Sequence, residues 1–372
     1  MRIKVKIDFP KIIVVKIGTS SLITEEGKID RININKIVAQ IYALTCRKSK
    51  VVLVSSGAIK VGMIVLGIKA RPKDLPHLQA CSATGQSYLM EVYNDIFENY
   101  GLFASQILLT YDNFDSRIGF LNLRNTINTL MEMGCIPIVN ENDTVATEET
   151  KFGENDTLAS LVAAGINADL LINLSDVDGL YTKDPSKNKD AKRIPVVEEI
   201  NPAIEKLGGK SSSGVGTGGM ASKIEAAKIA TDCGCCCVIA NAKDENVIFK
   251  CAKGEDVGTV FLAKEHNLNA KKSWLAYASK SKAIIVVNSP AKEKIIKGKS
   301  LLSVGVLDVE GSFGVGDTVS ISCEGKIFAK GVTYYSSKDV LKIAGKKTNQ
   351  IEKILGKIDY EEVVHHNNMV IL

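Results

Sequence analysis

The chain has 372 residues, 47 Lys plus Arg against 42 Asp plus Glu, and 45% hydrophobic residues, which excludes a disordered, collagenous or coiled-coil polymer. That length is enough for two or three domains of ordinary size. The net charge of +5 is unevenly placed: residues 1–269 carry 31 basic and 32 acidic side chains, whereas residues 270–372 carry 16 lysines, no arginine and 10 acids. A near-neutral domain over residues 1–269 and a basic one over residues 270–372 are therefore predicted.

In chain order, the N-terminus alternates basic and apolar residues and lacks the continuous apolar stretch of a secretory signal. Short, β-branched apolar runs at 12–15, 51–54, 136–139, 170–174 and 236–240 read as strands buried on both faces. Between them, residues 34–47, 79–99, 126–133, 157–166 and 223–231 carry helical apolar spacing or are rich in Ala. This alternation predicts an α/β fold, a doubly wound and mostly parallel sheet sandwiched by helices, whose ligands sit at the carboxyl ends of the strands. The pattern then changes. Short runs at 283–287, 305–309, 318–322, 327–332, 363–364 and 369–372, spaced by Gly, Ser and Lys, predict a small β-rich module of pseudo-barrel type, with helices at 338–343 and 351–355.

Nine cysteines, an odd set without repeating spacing, fit a reducing, cytoplasmic setting. The cluster Cys233, Cys235, Cys236, Cys237 runs directly into the strand at 236–240 and has no second Cys or His pair at zinc spacing. It reads as small core residues rather than a metal site. No apolar run reaches the length of a bilayer span, so no membrane partner is expected.

Chemistry-bearing residues gather after the strands. Lys16-Ile17-Gly18-Thr19-Ser20-Ser21 puts a cation and a small hydroxyl-rich turn at a strand end, able to cradle phosphate; a solvated strand end fits equally. Ser55-Ser56-Gly57-Ala58 is a turn where backbone can approach a ligand. Asn140-Glu141-Asn142-Asp143 and Phe152-Gly153-Glu154-Asn155-Asp156-Thr157 are dense amide and carboxylate clusters. Helix capping by Asn155 or Asp156 explains one residue in such a cluster and leaves the others to account for. Ser175-Asp176-Val177-Asp178-Gly179-Leu180-Tyr181 reads as a Gly turn or as part of a nucleotide pocket. Gly214, Gly216 and Gly219 satisfy a dinucleotide fingerprint, but residues 207–213 before them read as loop rather than strand. What remains is either a mobile surface loop or one that closes over nucleotide phosphates and leads into a helix bearing Lys223. Two lysines, an Asp cluster and a Gly-rich loop suit phosphoryl transfer, where charge spreads over three oxygens and an ionised carboxylate acceptor needs no general base.

Taken together, VVKIGTSSL (14–22), VSSGA (54–58), FLNLRNT (120–126), PIVNENDTVAT (137–147), FGENDTLAS (152–160), DGLYTKDP (178–185) and GVGTGGMASK (214–223) resemble, in order, the amino acid kinase family, and within it the branch acting on glutamate. Residues 271–372 resemble the PUA domain appended to many of its microbial members, through 298–302, 309–313 and 335–337. The resemblance implies an ATP- and Mg²⁺-dependent enzyme that phosphorylates the γ-carboxylate of L-glutamate, the first step of proline synthesis. Carried over by position, it implies Lys16, Lys223 and Asp156 as catalytic residues. Ser56, Gly57, Asp143 and Asn155 would bind glutamate. Lys16, Ser175, Asp176, Thr217, Gly218, Gly219, Met220 and Lys223 would bind the nucleotide, with Mg²⁺ held mainly by ATP phosphates rather than by protein ligands. It also implies feedback inhibition by proline and a homo-oligomer, dimer or tetramer. Ser175 and Glu154 depart from the usual Thr and Asp, the first keeping the hydroxyl, the second altering the acceptor site's geometry. RNA is a weaker alternative partner: sixteen lysines and the aromatics Trp274 and Tyr277, read as exposed, could track phosphates, but the last arginine is Arg193.

Overall fold

The computed structural model describes residues 9–24, 26–147, 152, 154–185, 187–209, 219–264, 272, 274–356 and 360–372. Two compact units emerge: Met1–Asn113 with Ile118–Ala270, and Phe114–Arg117 with Lys271–Leu372.

The first unit is built on strands β1 (Ile12–Ile17), β2 (Lys50–Ser55), β3 (Phe103–Leu109), β4 (Cys135–Glu141), β5 (Leu170–Ser175), β6 (Val196–Val197), β7 (Cys236–Asn241) and β8 (Thr259–Phe261). They form one sheet in the order β3-β4-β2-β1-β5-β7-β8-β6. The β7–β8 pair is antiparallel and all the other pairs are parallel. Continuous apolar strands lie at the centre, where both faces are covered: Ile13, Val14 and Val15 of β1 have no exposed surface. The flanking helices are α1 (Arg31–Thr45), α2 (Ala58–Val65), α3 (Leu75–Glu98), α4 (Tyr111–Asp115), α5 (Arg117–Glu132), α6 (Asn155–Ile166), α7 (Pro202–Leu207), α8 (Met220–Asp232) and α9 (Val247–Ala252). Asp30 and Asp74 start α1 and α3 by accepting from the amides of Asn33 and His77, as Asp at an N-cap does. The expected stripe Ile34, Ile37, Val38, Ile41 and Leu44 is buried against the sheet, each side chain contributing roughly 2 kcal/mol by its removal from water.

Two glycine contacts lock α2 to α3. A Cβ on Gly62 would lie 1.7 Å from the Cys81 carbonyl oxygen, and one on Gly85 would lie 1.9 Å from that of Ala58. Only residues without a side chain allow backbones this close. Strands β3, β6 and β8 and helices α2, α4, α7 and α9 were not among the sequence expectations. β3 is an edge strand with half-polar, partly exposed residues, and the other two strands have two or three residues. α2 is a strongly apolar segment of eight residues, too short for periodicity alone to separate it from a buried strand.

The second unit has the sheet β11-β9-β12-β13-β15, formed by β9 (Ala283–Val287), β11 (Val306–Gly311), β12 (Thr318–Cys323), β13 (Lys326–Val332) and β15 (Met369–Ile371). Its pairs are antiparallel except β9–β12. A two-stranded sheet joins β10 (Leu301–Leu302) to β14 (Glu362–Val364), and the helices are α10 (Ser289–Ile296), α11 (Ser337–Ile343) and α12 (Thr348–Leu355). Ile285, Val319, Ile321, Ala329, Val340 and Val363 fill a separate core. Trp274 corrects an expectation: it is 5% exposed and its indole N–H donates to the Phe114 carbonyl at 2.5 Å, so its ring is part of the packing of this unit. Among the described residues, no helix is long and apolar enough to cross a membrane.

Candidate active site

The carboxyl ends of β1, β2, β4 and β5 carry the predicted residues, and two helix N-termini close on them. Lys16 is the fifth residue of β1, in register with Val54 of β2 and Asn173 of β5. Its Nζ lies 2.5 Å from Asp156 Oδ1, in the first turn of α6. Lys223, in the first turn of α8, reaches Asp156 Oδ2 at 3.4 Å. Ser222 Oγ lies 3.2 Å from the same oxygen and 2.8 Å from the Gly219 carbonyl. All three charged side chains are buried, with Asp156 1% exposed.

Burial alone raises the Asp156 carboxyl, but the Lys16 and Lys223 ammonium groups outweigh it and hold the carboxyl below its usual range. The carboxylate is thereby kept ionised between two cations. Residue 154 takes the N-cap position of α6 without a side-chain capping bond, so capping accounts for neither Asn155 nor Asp156. Two helices of 12 and 13 residues, α6 and α8, direct their N-termini at this cluster, which favours an anion there.

A polar network adjoins it through Asn155. The Asn155 Nδ2 group donates to the Ser55 carbonyl at 2.7 Å, to Ser56 Oγ at 2.9 Å and to Asn140 Oδ1 at 3.0 Å. Gly57 follows with φ +91°, a left-handed conformation that lets the chain turn from β2 into α2 with Thr19 and Leu22 close by. Asp143 is half-buried and its Oδ2 accepts from Ser82 at 3.0 Å. At the end of β5, Ser175 Oγ lies 3.0 Å from Asp176 Oδ1, and Asp176 is exposed. Nearby, Tyr181 Oη donates to both carboxylate oxygens of Asp178 at 2.9 Å.

Lys16, Lys223 and Asp156 are thus brought together, and Ser56 and Asn155 are joined beside them. Asp143 is tied to α3, and Ser175 and Asp176 stand at the end of the strand that bears Asn173. Gly219 and Met220 open α8, whereas Thr217 and Gly218, like Gly214, Gly216 and Gly153, lie outside the described residues. Immediately before the glycine stretch comes α7 with Gly208 and Gly209, and no strand is present among the described residues there.

Sequence reasoning missed four members of the site's surroundings: Asn173, Gln86, Ser82 and Tyr93. Asn173 interrupts the apolar run of β5. The other three are polar groups on the inward face of α3, at helical spacing. In the cysteine cluster, by contrast, Cys235 and Cys237 are core, at 1% and 0% exposed, and burial pushes both thiols up, while Cys233 and Cys236 are half-buried. Among the described residues, no three His, Cys, Asp or Glu side chains are grouped to hold a metal ion.

Comparison with known proteins follows the same division of the chain. Residues 11–241 match the model of the amino acid kinase family, and residues 283–355 match the PUA domain. A relative from Methanosarcina acetivorans named glutamate 5-kinase is 45% identical over 370 residues, covering 97% of this chain and 96% of its own. Another of that name, from Caldanaerobacter subterraneus subsp. tengcongensis, is 46% identical over 362 residues, covering 97% of each. Among solved structures, carbamate kinase from Giardia lamblia bound to AMP-PNP superposes with a TM-score of 0.50 at 17% identity, over 68% of this chain and 99% of that one, which speaks to the fold alone. By its family match and by these full-length relatives, this chain belongs to the amino acid kinase family.

Proposed function

We propose that the chain transfers the γ-phosphoryl group of ATP to the γ-carboxylate of L-glutamate, giving glutamyl 5-phosphate, in the cytoplasm and as the entry reaction of proline synthesis. The observation that carries this reading is Asp156 holding two buried lysines next to the Asn155–Ser56–Asn140 network. A phosphoryl group entering between Lys16 and Lys223 meets two fixed cations and two helix N-termini, which stabilise charge on its oxygens as the bond to the leaving ADP oxygen breaks. The acceptor carboxylate, with an ordinary value of about 4.3, is already ionised at neutral pH, so the new P–O bond forms without a general base. Ser56, Gly57, Asn155 and Asp143 would hold glutamate in line. Ser175, Asp176, Thr217, Gly218, Gly219 and Met220 would hold the nucleotide.

Magnesium fits as a metal brought by the nucleotide. Asp156 is committed to two lysines, and the described residues offer no clustered ligand set, so the phosphate oxygens would carry the ion. When bound, it neutralises charge on the β- and γ-phosphates. We also assign residues 1–269 to catalysis and residues 270–372 to the PUA module, and expect proline to compete with glutamate in a dimeric or tetrameric enzyme.

Coupled assays of ADP release with glutamate, aspartate, acetylglutamate, carbamate and UMP test the acceptor. Activity with aspartate and none with glutamate overturns the reading. In the same assay, Lys16→Ala and Lys223→Ala lower kcat by roughly 100-fold or more and leave the glutamate KM nearly unchanged. Asp143→Ala mainly raises that KM.

A further inference from the structure

Helix α3 carries a polar stripe where it faces the sheet. Gln79, Ser82, Gln86 and Tyr93 follow one another at intervals of three, four and seven residues, so they share one face. Each meets a different part of the acceptor site or the loop beside it. The Gln79 side-chain amide donates to the Ala146 carbonyl at 3.1 Å, beyond Asp143. Ser82 Oγ donates to Asp143 Oδ2 at 3.0 Å. Gln86 Oε1 accepts from Asn140 Nδ2 at 2.9 Å. Tyr93 Oη lies 3.0 Å from Oγ of Ser55, the residue whose carbonyl accepts from Asn155.

The direction of these amides is fixed by a backbone group. The Glu141 N–H, which can only donate, bonds Asn140 Oδ1 at 2.9 Å, so Asn140 Nδ2 must be the donor toward Gln86. Gln86 therefore presents its oxygen to Asn140. Its Nε2 group is buried and has no hydrogen-bond partner among the described residues. Leaving a buried donor unpaired is unfavourable, and an apolar side chain of the same size would avoid it. What Gln supplies that an apolar residue cannot is a neutral acceptor for Asn140. A glutamate would supply the acceptor too, but with a buried charge close to Asp143 and the incoming anion.

We propose that α3 is the positioning element of the acceptor site. Gln86 sets the orientation of Asn155 through Asn140, and Ser82 sets that of Asp143. Neither side chain acts on the lysines or on the nucleotide. The inference rests on the reading of Asn155 and Asp143 as acceptor-binding residues, and it makes Gln86 and Ser82 determinants of acceptor affinity in this chain.

The test uses full-length Gln86→Met and Ser82→Ala. Glutamate KM, ATP KM, kcat and the melting temperature are measured for each. The expected result is a glutamate KM raised about tenfold in both, with ATP KM and kcat within about twofold and melting temperatures close to that of the unaltered chain. Adding Gln86→Met to an Asn155→Ala background should leave KM where Asn155→Ala alone puts it, because the relay is already cut. An unchanged glutamate KM in Ser82→Ala, or ATP and glutamate KM values rising together, overturns the proposal. Should Gln86→Met unfold, Ser82→Ala decides alone, since Ala at a helix-interior site does not disturb the helix. If the unaltered chain phosphorylates another acceptor, it is the proposed function that fails, and the same variants measured with that acceptor still decide the role of α3.

Discussion

Asp156 is the residue on which the candidate site turns, because a carboxylate that is 1% exposed is tolerated only while its charge is compensated. Lys16 and Lys223 provide that compensation, and in return Asp156 keeps two buried ammonium groups from repelling each other. Replacing it by Asn leaves both cations uncompensated, which in buried pairs costs about 3 kcal/mol or more. Asp156→Asn is therefore expected to lower the urea midpoint markedly as well as activity; an unchanged midpoint would mean that water, rather than the carboxylate, compensates the lysines. The pH dependence has a definite sign. Since the folded carboxyl is held below its ordinary value, its contribution to stability is complete above about pH 4 and is lost as pH falls through the depressed folded value. Acid unfolding followed in the unaltered chain and in Asp156→Asn should converge at low pH and diverge above it. Lys16, Lys223 and Asp156 were legible from their places at a strand end and at helix starts together with the family resemblance. Gln86 and Ser82 were not, because a Gln or Ser within an amphipathic helix has the same sequence signature whether it faces water or a buried amide.

Among the elements, the α2–α3 pair carries information that hydropathy could not supply. The helical spacing over residues 79–99 placed α3, but α2 follows β2 almost at once and is a short apolar segment that periodicity alone does not separate from a strand. The five central strands β1, β2, β4, β5 and β7 were readable as continuous apolar runs because both of their faces are buried. β3 was not, since an edge strand mixes polar and apolar residues. The closeness of α2 and α3 makes a sharp stability prediction. Gly85→Ala puts a Cβ 1.9 Å from the Ala58 carbonyl oxygen and 2.3 Å from the Gly62 amide nitrogen, both backbone atoms that cannot step aside. The helices must separate, at a cost of about 3 kcal/mol by the usual scale of overpacking. Gly67→Ala is the control: its φ of +69° carries strain of about 1 kcal/mol, with no atom within 4 Å of the added methyl. Urea midpoints of the two variants should fall in that order, and equal losses would show that α2 and α3 can slide apart freely. Because α3 also touches Asp143, Asn140 and Ser55, movement of this pair should reach the acceptor site before it reaches the lysines.

At the scale of the whole molecule, the charge asymmetry decides between two uses of residues 270–372. A basic, 16-lysine module invites the idea of nucleic acid binding. Several of the groups that would make such a surface are, however, engaged within the unit. Trp274 is packed inside the unit. Tyr334 and Tyr360 stack on each other with ring centroids 3.9 Å apart. Lys330 is turned inward, its ammonium donating to the carbonyls of Ala276 and Ser279 at 3.1 Å, and burial lowers its proton affinity. Lys282 is paired with Asp317 at 2.9 Å. Without arginine, the planar, bidentate and stacking contacts that favour recognition of particular bases are missing, and what is left is attraction between dispersed ammonium groups and phosphate. Attraction of that kind is released by salt: a footprint of a few phosphates loses most of its affinity between about 50 and 200 mM. Electrophoretic mobility shifts of the full chain with single-stranded and hairpin RNAs should therefore show at most a weak complex at about 50 mM salt, equal for all sequences and gone by about 200 mM. A complex that survives the higher salt and prefers one RNA would mean that the lysine surface is arranged to recognise it, and the second unit would then have a partner of its own.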